Sequence, residues 1–373
     1  MTGKKVLITG GAGFVGSHTA DALLRSGHEV TIYDNLSEQV HGSTVPDYLC
    51  PELNLISGDV RDLPKLTKAV RGAEVIFHLA AAVGVGQSMY EISGYTEINN
   101  LGTANLLQAI LDSRVRPEKI VVASSMSIYG EGSYRCEKCG IVNPGPRPVE
   151  QLREKRWEIS CAQCGEVLKP LPTHEDKPLQ CTSIYALSKK DQEEMTVLFG
   201  RTYGISAVAL RYFNIYGPRQ ALSNPYTGVA AIFASRMLNG NAPLIFEDGL
   251  QMRDFVSVHD VVQANLLAME ADEADGQAFN IGSGQAVNVL QIAAALADTL
   301  ENDQEPQITE KYRAGDIRHC FGDISLAREK LGYCPRVSLG EGMGELAEWL
   351  SSQQADDHVE QAFDRLTLHG LVA

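Results

Sequence analysis

The chain has 373 residues, 44% of them hydrophobic, with a formal charge of −15 and eight cysteines. That length supplies two packed lobes rather than one core, and no run approaches the ~20 apolar residues that span a bilayer. The acidic balance excludes non-specific nucleic-acid binding, which needs a basic surface. An apolar strand starts at Val6 and leaves no room for a secretion signal ahead of it, so a cytoplasmic protein with reduced thiols is expected.

Lys5 to Thr9 reads as a short buried strand, and GGAGFVG (residues 10–16) follows it into a helix over Phe14 to Ser26. Gly10 permits the tight turn, Gly13 lets backbone approach a pyrophosphate, and Gly16 lets helix pack on strand. Phe14 and Val15 open the helix, whose amino terminus favours the diphosphate charge. Glu29 to Tyr33 is a second strand, closed by Asp34 and Asn35. An acid there grips ribose hydroxyls and repels a 2′-phosphate, which points to NAD over NADP. Asn54 to Ser57 is a third strand. Beyond it, Asp59 reads either as an adenine contact beside Val60 or as a cap ahead of Arg61. Val75 to Leu79 is a fourth strand. The small residues Ala80 to Ala82 after it suit backbone passing close to a cofactor, and His78 reads as a core histidine. Tyr95 to Arg114 is a predicted helix, and Lys119 to Ser124 a fifth strand. Alternating strands and helices imply a doubly wound parallel sheet with ligands at the strands' carboxyl ends, where Ser125 falls. Further on, Tyr185 and Lys189 share one helical face at i, i+4. The lysine charge favours the phenolate of a tyrosine whose free pKa of ~10 is too high for a base at neutral pH.

GGAGFVG, YDN, GDVRD, HLAA, Asn99 in NxxGT, SSxxxYG, YxxxK, RYFNIYGPR, RDFV and RAGD occur in that order. Together they resemble the extended short-chain dehydrogenase/reductase family, specifically its nucleotide-sugar epimerases and dehydratases. The resemblance implies a Rossmann domain over 1–212, a nucleotide-sugar-binding lobe over 213–350 with chain crossing back to the sheet, and a tail over 351–373. It implies Tyr185 as base, Lys189 as its partner, and Ser125 as the hydroxyl on the reacting sugar oxygen. It also places Gly10, Gly13, Phe14, Val15, Gly16, Asp34, Asn35, Asp59, Val60, Leu79, Ala80, Ala81, Asn99 and Phe213 around NAD. On the substrate side it places Asn214, Val229, Leu244 and Phe246, the last stacking on the base, with Arg253 and Arg313 as diphosphate clamps. Guanidinium suits phosphate oxygens bidentately and gives an acidic protein the local positive charge it needs. SNPYTGV (223–229) is expected to line the nucleoside pocket. Where sugar 4,6-dehydratases carry Thr-Asp-Glu, this chain has Ser125-Met126-Ser127, so elimination lacks its acid and base. What remains is oxidation and re-reduction at one carbinol carbon, as in a 4-epimerase.

Between Tyr129 and Tyr185 the chain departs from the family with an insert over about 131–180. It carries Cys136-x-x-Cys139 and Cys161-x-x-Cys164, each followed by glycine and separated by 21 residues. Four thiolates suit a structural tetrahedral zinc in a ribbon-like segment; redox disulfides and an iron–sulfur cluster are the alternatives. Arg147, Arg153, Lys155 and Arg156 interleave with Glu150, Glu154 and Glu158, which reads as a solvated helix face. The insert is expected to fold over the sugar pocket as a lid or to pack on a neighbouring subunit. The tail reads as a terminal helix or a frayed end. AAVGVGQSMYE, ASSMSIYGEG and LSNPYTGVAAIFASRMLNG are most similar to the dTDP-L-rhamnose 4-epimerase subgroup. The expected partners are a dTDP- or UDP-sugar and a second copy of the chain, with no nucleic acid and no membrane. Two other readings stand beside the 4-epimerase: a nucleotide-sugar oxidoreductase that exchanges its cofactor, and a catalytically silent NAD sensor that docks through the insert.

Overall fold

The structure, a computed structural model, describes residues 3–42, 44–226, 228–313, 315–353 and 356–373. Its centre is a seven-stranded parallel sheet. Across the sheet the strands run Ala278–Ile281, Ser206–Tyr212, Lys119–Ser125, Val75–His78, Lys5–Thr9, Glu29–Asp34 and Asn54–Ser57. The chain leaves Lys5–Thr9 to one side and returns for Val75–His78 on the other. The order therefore reverses between those two strands, and a crevice opens at their carboxyl ends. Both faces are covered. Leu23, Val261, Ala264, Phe279 and Leu331 pack with one side of the sheet, and Leu66, Leu106, Ile110 and Phe199 with the other. Continuous Val/Ile/Leu runs such as Lys5–Thr9 are what a sheet buried on both faces needs.

The predicted strands of the amino-terminal half stand within a residue of their expected ends. The predicted helix over 95–114 differs. It starts at Ile92, and Thr96–Leu101 makes a π-helical stretch before Gly102–Ser113 resumes as α-helix. Such a bulge re-aims a side chain, here Asn99. The carboxyl-terminal lobe gathers its own core around Tyr216, Phe233, Ile245, Leu296 and Leu346. The chain crosses back to the sheet through Ala278–Ile281 and the helices Val258–Glu270 and Ser325–Leu331. The tail forms a helix, Val359–Leu368, and Ala373 exchanges both backbone hydrogen bonds with Tyr312. Among the described residues no helix is long and apolar enough to cross a membrane.

Asp254 ties the lobe to the sheet. It is fully buried. Its Oδ1 accepts from Ser283 N and Oγ at 2.7 Å each, and its Oδ2 from Gly284 N at 2.9 Å and Gly322 N at 3.3 Å. Asp254→Asn turns an N–H₂ toward two donors. It is expected to cost roughly 2–4 kcal/mol of stability, read by urea unfolding; an unchanged midpoint would refute this role.

The insert is a three-stranded antiparallel sheet, Gly140–Val142, Ser133–Cys136 and Lys169–Leu171, with a second turn closed by the bridge Ser160↔Val167. It is stitched to the lobe of its own chain: Gly132 N donates to His319 O at 2.8 Å, and Thr173 N to Phe321 O at 2.8 Å. The solvated helix face expected over Arg147–Glu158 is corrected in two places. The helix covers only Val149–Arg153. Arg147 is buried and paired with Glu247, and Glu158 pairs with Arg318. Sequence spacing could not show this, because both partners lie far along the chain.

Candidate active site

The helix Ile184–Tyr203 starts where the Ser183 side chain caps Ala186 N and stops at Gly204, left-handed at φ +64°. Its first turns carry Tyr185 and Lys189 to the end of the strand Lys119–Ser125. There the Tyr185 side chain comes close to that of Ser125. The Tyr185 ring meets Tyr95 edge-on at 6.4 Å. Burial raises the Tyr185 phenol above its ordinary value, and the Ser125 contact opposes that. Lys189 is 3% exposed, and burial lowers its ammonium to about 7, with Glu193 opposing. The Lys189 Nζ donates to Gln192 Oε1 at 2.8 Å, and Gln192 Nε2 donates to Thr103 Oγ1 at 2.9 Å. The fold thus brings together all three residues expected to do the chemistry. Gln192 is an addition that sequence reasoning missed; its only local signal is its place one turn beyond Lys189. His78 is a core histidine held between Thr9 and Thr103, and burial pushes its imidazole down to about 3.

Beneath them lies a second buried network. Glu193 accepts from Ser124 Oγ at 2.6 Å and from Arg211 Nη2 at 2.6 Å, and Arg211 Nη1 donates to Tyr129 Oη at 2.8 Å. This pins the helix to the strands Lys119–Ser125 and Ser206–Tyr212.

The cofactor cradle is bare backbone. Gly10 sits at φ +71°, and a Cβ there would lie 2.7 Å from Ala80 N; one on Gly16 would lie 2.2 Å from Gly10 O. Gly13, at the helix amino terminus, would meet only Gly10 O, at 3.3 Å. Asp34 accepts from Ala12 N at 3.0 Å and Leu36 N at 2.9 Å, which leaves lone pairs for ribose hydroxyls. This turn, this helix end and this acid fit a dinucleotide. Asp59 is differently placed. Its Oδ1 accepts from Arg61 N and Nε and its Oδ2 from Arg61 Nη2 and Asn35 Nδ2, so all four acceptor sites are filled within the protein. Val60 is buried beside Gly102. Leu79, Ala80 and Ala81 follow the strand Val75–His78 toward Ala82, whose N–H and C=O both bond the Asn99 side chain at 2.8 and 3.1 Å. Asn99 therefore holds the loop that faces the crevice.

On the substrate side, the Arg253 guanidinium hydrogen-bonds only carbonyl oxygens among the described residues: Met252 at 2.8 Å, Arg318 at 2.9 Å and Ile317 at 2.7 Å. Burial lowers its pKa, with Asp316, Glu131 and Glu247 among the nearby groups opposing. The Arg313 Nε donates to Asp316 at 2.7 Å, and its guanidinium lies 4.7 Å over the Phe246 ring. Asn214 Oδ1 is buried without a partner among the described residues, as a sugar hydroxyl would require. Val229 opens the helix Val229–Leu238, and Leu244 opens the strand Leu244–Ile245. Phe213 is packed among Met126, Tyr129 and Cys320. In the stretch 223–229, Thr227 lies outside the described residues. Asn224 accepts from Gln39, and Tyr226 Oη accepts from Tyr90 Oη at 2.5 Å. The tail brings in a residue no sequence pattern marked: Phe363, stacked 6.0 Å from Phe246.

The sulfurs of Cys136, Cys139, Cys161 and Cys164 lie within 4.8 Å of one another. A tetrahedral zinc with Zn–S of about 2.3 Å has a sulfur–sulfur edge of roughly 3.8 Å. Gly140 and Gly165 follow the pairs at φ +82° and +78°. The amides of Gln163 and Cys164 pull the Cys161 thiol down to about 7, while the neighbouring Cys164 pushes Cys139 up to about 12. A cation in the middle would relieve that competition.

Comparison with known proteins decides the family. A model described as the NAD dependent epimerase/dehydratase family matches residues 6–148 and 158–282. The chain belongs to this family. It is 34% identical over 356 residues to a dTDP-L-rhamnose 4-epimerase of Burkholderia thailandensis, covering 95% of this chain and 96% of that one. It is 33% identical over 349 residues to a putative UDP-glucose 4-epimerase of Methanocaldococcus jannaschii, covering 93% and 98%. The solved UDP-glucose 4-epimerase of Thermotoga maritima with UDP-glucose is similar at a TM-score of 0.75 and 32% identity, covering 93% of this chain and 98% of that one. The UDP-glucuronic acid 4-epimerase of Bacillus cereus, in complex with UDP-glucuronic acid and NAD, is similar at 0.76 and 25%, covering 93% and 99%. These relatives are isomerases.

As a member of the NAD dependent epimerase/dehydratase family, the chain departs from the family model between residues 148 and 158, inside the insert. Met126 is buried, and Ser127 donates its hydroxyl to Ser125 Oγ at 2.9 Å. Neither offers a carboxyl group.

Proposed function

We propose that the chain is an NAD-dependent nucleotide-sugar 4-epimerase acting on a dTDP-6-deoxyhexose such as dTDP-L-rhamnose. The observation that carries the reaction is Tyr185 placed beside Ser125, with buried Lys189 one turn away. NAD, when bound, supplies an acceptor for the C4 hydride and its return. Ser125 holds the sugar's 4-oxygen. Tyr185, as phenolate beside the Lys189 ammonium, takes the 4-hydroxyl proton and later gives it back. Arg253 and Arg313 hold the diphosphate while the sugar turns to present its other face, and Phe246 stacks on the base. Asp34 selects NAD over NADP by charge. Met126 and Ser127 leave elimination without a proton donor or acceptor. The dTDP-sugar is supported by the likeness to the Burkholderia thailandensis enzyme. A UDP-sugar is the alternative reading, favoured by the Methanocaldococcus jannaschii and Thermotoga maritima relatives. The four cysteines hold a structural zinc. Leu101, Leu187 and Leu198 stay exposed on helical segments that pack together, which supports a homodimer.

Purified protein incubated without added NAD tests this. The expected result is a C4 epimer of dTDP-L-rhamnose and no 4-keto-6-deoxy product from dTDP-glucose, read by mass and NMR. Accumulation of that product would overturn the epimerase reading. Turnover that needs stoichiometric NAD would make the protein an oxidoreductase, and turnover of UDP-sugars alone would replace the base.

A further inference from the structure

We propose that the four-cysteine insert buttresses the nucleotide-sugar clamp: a metal at Cys136, Cys139, Cys161 and Cys164 sets the position of Arg253. The proposal rests on the reading of Arg253 as a diphosphate contact.

Two arms leave the cysteine cluster, and both end on Arg318 and His319, in the segment whose carbonyls hold Arg253. The first precedes Cys136. The Glu131 carboxylate accepts from Arg318 N at 2.7 Å, His319 N at 3.2 Å and Tyr134 Oη at 2.8 Å. Tyr134 is fully buried in a cluster with Cys136, Ile159, Cys161 and Leu168. The other arm precedes Cys161. Glu158 Oε1 accepts from Arg318 Nη2 at 2.5 Å and Nε at 3.0 Å, and its Oε2 pairs with His319 Nε2 at 3.1 Å. Between the arms, Arg147 makes a bidentate pair with Glu247 at 2.9 and 2.7 Å and donates to Asp316 O at 3.1 Å. Arg318 completes the network with Asp248 at 2.6 Å and Glu247 at 3.1 Å, its side chain 0% exposed. Arg253 then hangs from the carbonyls of Ile317 and Arg318, and its strand pairs with His319–Cys320.

Few links therefore separate sulfur from the cation that receives the diphosphate. The insert's own core is small, five buried residues, and its strands are only three or four residues long. A sheet of that size does not hold its shape in water without a cross-link. The metal supplies the cross-link, and it fixes both arms at once. If the arms loosen, Arg318 loses Glu158 and the backbone N–H groups of Arg318 and His319 lose Glu131. Arg318 and Glu247 then carry buried charges with incomplete partners, which is costly. The carbonyls that aim Arg253 move with them. The NAD cradle is not on this route: among the described residues, no hydrogen bond joins residues 10–16 to the network. In this role Glu131, Arg147, Glu158 and Arg318 are positioning residues; none of them touches the reacting atoms.

The test compares wild type, chelator-treated wild type, Cys139→Ser and Glu158→Gln. The readouts are metal by elemental analysis, bound NAD by absorbance of the denatured supernatant, and Kd for UDP and dTDP by calorimetry. Wild type is expected to hold about one zinc per chain. Removing it, by chelation or by Cys139→Ser, is expected to raise the nucleoside-diphosphate Kd by at least ~10-fold with NAD retained. In turnover this shows in KM, with kcat within about threefold. Glu158→Gln is expected to keep zinc and raise the same Kd, and combining it with Cys139→Ser is expected to add less than the sum of the two. Metal-free protein that binds UDP and dTDP as tightly as wild type would overturn the buttress, as would wild type without metal. Loss of NAD together with zinc would also overturn it, since the insert would then belong to the main core. Wild type that binds neither nucleotide refutes the nucleotide-sugar reading itself, which separates that failure from failure of the buttress.

Discussion

Tyr185→Phe is expected to keep NAD bound and to lower turnover by ~10²-fold or more, the scale of a general base. The change removes one hydroxyl and leaves a ring of the same shape against Tyr95. The helix start is capped by Ser183 and is untouched. Lys189 keeps its bond to Gln192. What is lost is the hydroxyl beside Ser125 that takes the sugar's proton. The loss should fall on kcat and kcat/KM together, because the interaction matters only while the proton moves. Turnover within a few-fold of wild type would remove Tyr185 from this role. A drop matched by loss of NAD would make its role structural.

Wild-type turnover is expected to rise with pH and level off above about 7, and Lys189→Met is expected to abolish that plateau. Burial lowers Lys189 to about 7 and raises Tyr185. At low pH the pair holds both protons, as phenol and ammonium, and no base is present. One proton leaves as pH passes the lysine value, and the pair then includes the phenolate–ammonium form. The titration belongs to the pair rather than to either residue. The sign follows: kcat should fall by about tenfold per pH unit below that value and stay flat above it. Without the lysine charge, Tyr185 alone titrates in its raised range. Lys189→Met should therefore lose at least ~10²-fold at pH 7 and recover part of it toward pH 10. A wild-type profile that is flat from pH 5 to 9 would refute the coupling.

The homologous relatives and the tertiary network meet at one point. Arg253 is recognisable from RDFV, yet its aim is set by Glu131, Glu158 and Arg318. Along the chain, Glu131 is an acid beside a glycine, Glu158 belongs to what reads as a solvated charge run, and Arg318 follows RAGD. None of them signals a support for a cation.

Local chemistry was legible in the sequence because it acts over a turn or less. Glycines that must carry no Cβ, an acid closing the second strand, a tyrosine and lysine at i, i+4, and buried runs of period suited to a parallel sheet each declare themselves within a few residues. So the sheet, the cradle, the paired catalytic candidates and the two CxxC turns were all readable. Tertiary structure decided what depends on partners distant in the chain. It joined Asp59 to Asn35, interrupted the helix around Asn99 with a π-helical stretch, buried Arg147 against Glu247, and laid Phe363 beside Phe246. A charged side chain reads as solvated until the fold delivers its counter-charge, and burial is a property of the assembled surface rather than of the residue.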